Sequence, residues 1–207
     1  MKKIKLIAPI AALLLGISGP ASGKLVFNLD FGQDGNYETS WNLALNDTIR
    51  ADLYVSNVPN PGLISMGFDL VYNLSHLQVA SASVASIWEL GWVNSTAPEV
   101  EAGGGQVSFP PLAGDRILLA SVEFTSSAYG MSTLSLYDSD RGGFFDDFVL
   151  ENGTVLDDDL ASGIVLAQVN TPNLIPLPGT LALLAPGLVA LLASRSRMKL
   201  IDEEKRS

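Results

Sequence analysis

Between Lys24 and Asn173 apolar residues recur at every second position in several short stretches, and no stretch carries the three-to-four-residue period of a long helix. In Thr48 to Val55 the residues Ile49, Ala51, Leu53 and Val55 fall on one face; in Ile64 to Tyr72, Ile64, Met66, Phe68, Leu70 and Tyr72 do. Successive strand side chains point to opposite sides, so this pattern buries one face and wets the other. Further strands are predicted over 25–30, 77–83, 106–109, 116–125, 132–137 and 164–169, with turn-rich pieces between them at 57–62 and 103–105. Asn152-Gly153, flanked by Phe148, Leu150, Val155 and Leu156, predicts a two-residue hairpin turn, because both residues tolerate positive φ. About eight to ten short strands in about 150 residues make an all-β fold, an antiparallel β-sandwich of jelly-roll type.

Composition removes much chemistry from such a domain. The 207 residues include no cysteine and one histidine, His76. Disulfide frameworks, thiolate zinc sites, multi-histidine metal centres and most catalytic triads are thereby excluded. Stability must come from the apolar core between the sheets, which a chain of this length can build. His76 precedes Leu77 in a turn and reads as a turn residue.

The two ends read differently from the middle. Residues 1–23 start with Lys2, Lys3 and Lys5, run through an apolar core from Leu6 to Ile17 and close with small residues, the layout of a secretory signal peptide cut after Ala21 or Gly23. Residues 174–207 begin with twenty uncharged residues and then carry Arg195, Arg197 and Lys199. A transmembrane helix of about 179–194 with a basic end at 195–206 follows, its positive residues held on the cytoplasmic side. The middle, 24–173, is therefore expected outside the membrane.

Charge divides along the same lines. The chain holds 22 acidic and 12 basic residues; with three lysines in the leader and five basic and three acidic residues in the tail, the middle keeps 4 basic and 19 acidic, a net of −15. Nucleic-acid binding needs a basic footprint, so no nucleic-acid partner is expected. An acidic exported domain instead points to solubility and to divalent cations.

Two resemblances follow from particular residues. The tail, with Pro176, Leu177, Pro178 and Gly179 before an apolar span that ends at Arg195 and Arg197, resembles the bacterial PEP-CTERM sorting signals of the VPLPA type. That resemblance implies recognition by an exosortase-type processing enzyme, cleavage near Pro176 to Gly179, and delivery to the cell surface or an exopolysaccharide matrix. Within Val55 to Val79, the run Gly67-Phe68-Asp69-Leu70 followed by Tyr72-Asn73-Leu74-Ser75 and Leu77 is similar to the cohesin-type segment in which a Gly-Phe strand precedes Tyr-Asp-Pro and a leucine. Ile117 to Phe124, then Gly130 and Leu134 to Leu136, resembles the later strand pair of the same fold. This implies a cohesin-like sandwich, an architecture shared with carbohydrate-binding modules, for protein or sugar ligands.

Candidate ligand-binding residues are acidic or aromatic. Asp30, Asp34 and Asn36 place oxygens around a glycine turn in the manner of an incomplete EF-hand loop, with Gly32 and Trp41 at positions where ligands would complete it. Asp138, Asp140, Asp146 and Asp147 bracket the Gly142-Gly143 turn, and Asp157-Asp158-Asp159 follow the Asn-Gly hairpin. Were the fold to gather these loops, a calcium ion would relieve the repulsion; otherwise they are solvated loop residues. Trp88, Trp92 and Tyr54 are the candidate stacking platforms for pyranose rings, against the alternative that they fill the core, where Trp41 is expected. Glu89, between Trp88 and Trp92, is the one candidate catalytic acid, and it lacks an identifiable partner in the sequence. The expectation is an exported, membrane-anchored, non-catalytic binding or matrix protein for a polysaccharide or a surface protein. A glycan-processing enzyme and a purely structural surface protein are the alternatives.

Overall fold

The computed structural model describes residues 24–108, 110–139 and 145–173. The predicted leader, the whole predicted sorting tail with Pro176, Leu177, Pro178, Gly179, Arg195 and Arg197, and Asp140 lie outside them. Within the described residues there are strands and no helix: β1 Val26–Phe31, β2 Ser40–Asn42, β3 Thr48–Ser56, β4 Val58–Val71, β5 Leu77–Val84, β6 Leu90–Thr96, β7 Glu99–Gly105, β8 Leu112–Gly114, β9 Ile117–Ser126, β10 Gly130–Tyr137, β11 Val149–Leu150 and β12 Ile164–Thr171. They build two sheets. One is four-stranded in the order β1-β3-β9-β5; the other is eight-stranded, running β2-β12-β10-β4-β7-β6 with β8 and β11 also paired to β4.

The alternation read from the sequence is what holds these sheets together. Leu53 and Val55 of β3, Phe31 of β1 and Val122 and Phe124 of β9 face Met66, Phe68 and Leu70 of β4, Val100 of β7 and Leu134 of β10 in one buried cluster. Tyr72 meets Phe124 edge-on at 5.8 Å, closing one end of the cluster. Each large apolar side chain withdrawn here contributes about 1.5–3 kcal/mol, enough to replace the absent disulfides. Trp41 stacks on Phe31 at 5.7 Å, on the edge of the same core.

Several local expectations are corrected. The sheet is not wholly antiparallel: β2 pairs with β12 in parallel, Ser40 opposite Gln168 and Asn42 opposite Asn170. Residues 106–108 are not a strand; the strand is β7, which ends in Gly103, Gly104 and Gly105, residues that read as a turn. The glycines sit in a strand because larger groups cover them, as described below. Residues 57–62 belong largely to the start of β4, whose register against β8 slips between Val58 and Leu63. The hairpin at Asn152-Gly153 exists but is one residue longer than predicted. The Gly153 N–H donates to the Leu150 carbonyl and the Leu150 N–H to that of Thr154, so the loop is 151–153. Only Gly153, at φ 83°, takes the left-handed conformation. A type I turn followed by a left-handed glycine matches strand twist as well as the mirror-image turn does.

Candidate functional site

The loop after β1 encloses a cation that belongs to the chain itself. Asp30 is 1% exposed. Its Oδ2 accepts the Gly35 N–H at 3.1 Å and Nη2 of Arg116 at 2.8 Å, while Nη1 of Arg116 donates to the Gly35 carbonyl at 2.8 Å. The guanidinium lies over both Tyr54 (4.6 Å) and Tyr37 (5.0 Å), so its charge is met by a carboxylate, a carbonyl and two ring faces. Asp34 turns outward and accepts the Asn36 N–H at 2.9 Å, which holds its carboxyl below the usual range. The three oxygens expected around a calcium ion are thus not assembled: Asp30 is committed to Arg116, and Asp34 and Asn36 form a turn at the surface. Tyr54 is likewise engaged, one ring face covered by arginine.

The aromatic platform also dissolves on inspection. Trp88 is 3% exposed and donates its Nε1–H to the Leu118 carbonyl at 3.0 Å, so its ring is core and offers no face to a sugar. Trp92 is half-buried on β6 and lies against Gly103, where a Cβ would come within 2.5 Å of its Nε1. Trp88, Glu89 and Trp92 do share a hollow of about 320 Å³, yet among the described residues lining it Glu89 is the only carboxylate. Glu89 accepts the Val107 N–H at 3.3 Å. Hydrolysis of a glycosidic bond needs a second carboxylate across the cleft, and among the described residues none lines this one.

The acidic loops, in contrast, do converge. On the outer face of the eight-stranded sheet the chain from Phe145 to Phe148 crosses a trough cleared by glycines. A Cβ on Gly67 would lie 2.2 Å from the Asp146 backbone, one on Gly103 2.4 Å from the Phe145 carbonyl, and one on Gly105 2.0 Å from the Phe145 ring. Ser65 fastens the crossing by donating to the Asp147 carbonyl at 2.8 Å. Phe148 then turns inward, fully buried, and meets Phe27 edge-on at 5.2 Å.

This path brings Asp147 to Asp138, at the end of β10, and to Asp157, beyond the hairpin. One oxygen from each lies within 4.8 Å of the others. Asp157 is 6% exposed; its Oδ1 accepts the Phe148 N–H at 2.9 Å and its Oδ2 is buried without a hydrogen-bond partner. Burial, reinforced by the negative charges of Asp138, Asp147 and Asp158, pushes its carboxyl up to about 7. Beside the trio, Asp69, Glu99, Tyr137 and Asp138 line a hollow of about 390 Å³ on the same face.

Of the acidic residues expected at a metal, then, Asp138 and Asp147 meet. Asp146, 5% exposed, is not in the trio, and its place is taken by Asp157 from the run of three aspartates. That run carried the signal, but nothing local distinguishes Asp157 from Asp158 and Asp159. The distinction arises because Asp157 turns inward to the Phe148 N–H, whereas Asp158 is exposed and Asp159 pairs with Lys24.

No protein-family model matches the chain, and a search of curated proteins finds no match. Solved structures do match. The sixth cohesin of Acetivibrio cellulolyticus' scaffoldin B, in complex with a Cel5 dockerin, is 14% identical, with a TM-score of 0.51 over 70% of this chain and 99% of that one. CaCohA2 of Clostridium acetobutylicum is 15% identical, with a TM-score of 0.52 over 74% and 95%. A non-cellulosomal cohesin of the archaeon Archaeoglobus fulgidus is 13% identical, with a TM-score of 0.50 over 73% and 93%. At such identities the likeness establishes the fold: this is a cohesin-like β-sandwich.

Proposed function

We propose that the chain is an exported, surface-anchored, non-catalytic module that docks a partner protein outside the cytoplasmic membrane. The observation that carries this reading is an open, polar half of the four-stranded sheet on a cohesin-like frame. On the β1 side of that sheet the outer face is covered: Gln33 donates to Asp52 at 3.0 Å, and Arg116 lies between Tyr37 and Tyr54. Toward β9 and β5 it carries small polar side chains. Ser81 bonds to Glu123 at 2.7 Å, Thr48 to Thr125 at 2.8 Å, and Gln78 and Ser83 are exposed. A patch of short hydroxyls and a few charges suits a folded partner; a polysaccharide favours exposed rings in a groove, and Trp88 and Tyr54 do not supply them. Cohesins related in fold are found in complex with dockerins, which supports a protein ligand here.

The leader and the apolar, basic-ended tail put this module beyond the membrane, with the tail anchored there until an exosortase-type enzyme processes it. The surface or an extracellular polysaccharide matrix is then its destination. Cell fractionation checks this: the chain is expected in the envelope or the matrix, and an intact soluble product in the cytosol overturns it.

Binding is tested by calorimetry of the purified full chain against dockerin modules and against soluble polysaccharides, with product analysis for the latter. The expected result is one-to-one association with a protein module and no degradation of sugar. Ser83→Arg, at an exposed position that leaves the core intact, is expected to weaken that association by at least about tenfold. Polysaccharide binding lost on Trp92→Ala, with no protein binding, would overturn the choice of ligand. Turnover lost on Glu89→Gln would overturn the non-catalytic reading.

A further inference from the structure

We propose that Asp138, Asp147 and Asp157 form a calcium site that staples the crossing segment 145–157 to the outer face of the eight-stranded sheet. The site is separate from the open half of the four-stranded sheet, and it stands or falls independently of the partner.

Three features carry the assignment. First, one oxygen from each carboxylate lies within 4.8 Å of the others, and calcium takes carboxylate oxygens at about 2.3–2.6 Å, so an ion between them sits at or close to coordinating distance from all three, within the reach of small side-chain shifts. Second, Asp157 is 6% exposed and keeps Oδ2 buried without a hydrogen-bond partner, in a carboxylate held rigid through Oδ1 by the Phe148 N–H. A buried carboxylate oxygen left unpaired is costly, and a coordinated cation is one of the few groups that satisfies it beside two other acids. Third, the described cations are engaged elsewhere: Lys24 with Asp159 at 3.0 Å, Arg50 with Asp52 at 2.9 Å and Arg116 with Asp30 at 2.8 Å. Calcium fits better than magnesium. Magnesium keeps most of its water and is commonly held by one or two carboxylates, whereas calcium accepts several protein oxygens in flexible geometry.

The ligands come from three places in the chain: the end of β10, the crossing and the return beyond the hairpin. An ion bridging them closes two loops at once, and its binding energy is then stability of the folded crossing.

The test uses the purified full chain, stripped with a chelator and titrated with calcium chloride in a calorimeter, with melting temperature as a second readout. One calcium per chain and a rise of several degrees in Tm are expected. Asp157→Asn can still accept the Phe148 N–H and so should fold; it is expected to weaken binding at least about tenfold, as is Asp147→Asn. Asp34→Asn should leave the titration unchanged. Arg141 lies outside the described residues, and Arg141→Gln is expected to bind calcium as the unaltered chain does. A flat titration overturns the site. So does heat that appears only in Arg141→Gln, which would make arginine the occupant, or heat that survives Asp157→Asn and Asp147→Asn. Equal affinity for magnesium overturns the choice of calcium.

Discussion

Replacing Arg116 with alanine is expected to destabilise the sandwich by about 3 kcal/mol, the low end for leaving a buried charge without its partner. The reason is Asp30. Its side chain is 2% exposed, and without the guanidinium at 2.8 Å it keeps the Gly35 N–H at 3.1 Å as its remaining hydrogen bond. Arg116 itself is 40% exposed, so water can take up some of the lost interaction, and this keeps the cost from reaching the top of the range. In a domain of this size the loss appears as a fall of about 6–12 °C in Tm, read by thermal unfolding or from the urea midpoint. Converting both partners, Asp30→Asn with Arg116→Gln, should recover most of it, because no charge is then buried alone. Added calcium should not rescue the single variant. A cost below about 1 kcal/mol would mean that the loop after β1 is not organised by Arg116.

The second large effect is steric. Gly67→Ala places a Cβ 2.2 Å from the backbone carbon and oxygen of Asp146, and neither is the end of a flexible side chain that can swing aside. The crossing must lift, and overpacking of this kind costs about 3 kcal/mol. Gly114→Ala is the control. At φ 103° it meets strain but nothing within 4 Å, so about 1–2 kcal/mol is expected from backbone conformation alone. The urea midpoint separates the two. Gly67→Ala should in addition weaken calcium binding, since lifting the crossing moves Asp147, whereas Gly114→Ala should not. If Gly67→Ala proves no worse than Gly114→Ala, the crossing does not rest on the glycine trough.

These two predictions mark where sequence reading succeeds and where it stops. The strand over Thr48–Ser56 and the part of Val58–Val71 from Ile64 onward were legible because each buries one face, and a buried face leaves a two-residue period that needs no partner to be seen. β6 and β7 were not. Glu-Val-Glu-Ala-Gly-Gly-Gly has the composition of a turn, and it is a strand because Trp88, Trp92 and Phe145 occupy the space that side chains would have filled. The fate of Trp88 depended on the Leu118 carbonyl, thirty residues away. The acidic loops were correctly suspected as a group, but membership was not legible: Asp146 and Asp147 are adjacent, and alternation sends only one of them to Asp138 and Asp157.

The sequence by itself determined that the middle of this chain is a disulfide-free, acidic β-sandwich, set between a lysine-led apolar segment and an apolar, basic-ended one. Those are properties of local period, composition and charge, each readable within one segment. Only the tertiary structure decided that Arg116, eighty-six residues from Asp30, is the cation inside the first acidic loop, and that Asp138, Asp147 and Asp157 are the carboxylates that meet. Strand pairing joins residues whose separation along the chain carries no signal. Which charges face each other is settled when the sheets close, and that closure is driven by apolar burial, which is indifferent to the charges it brings together.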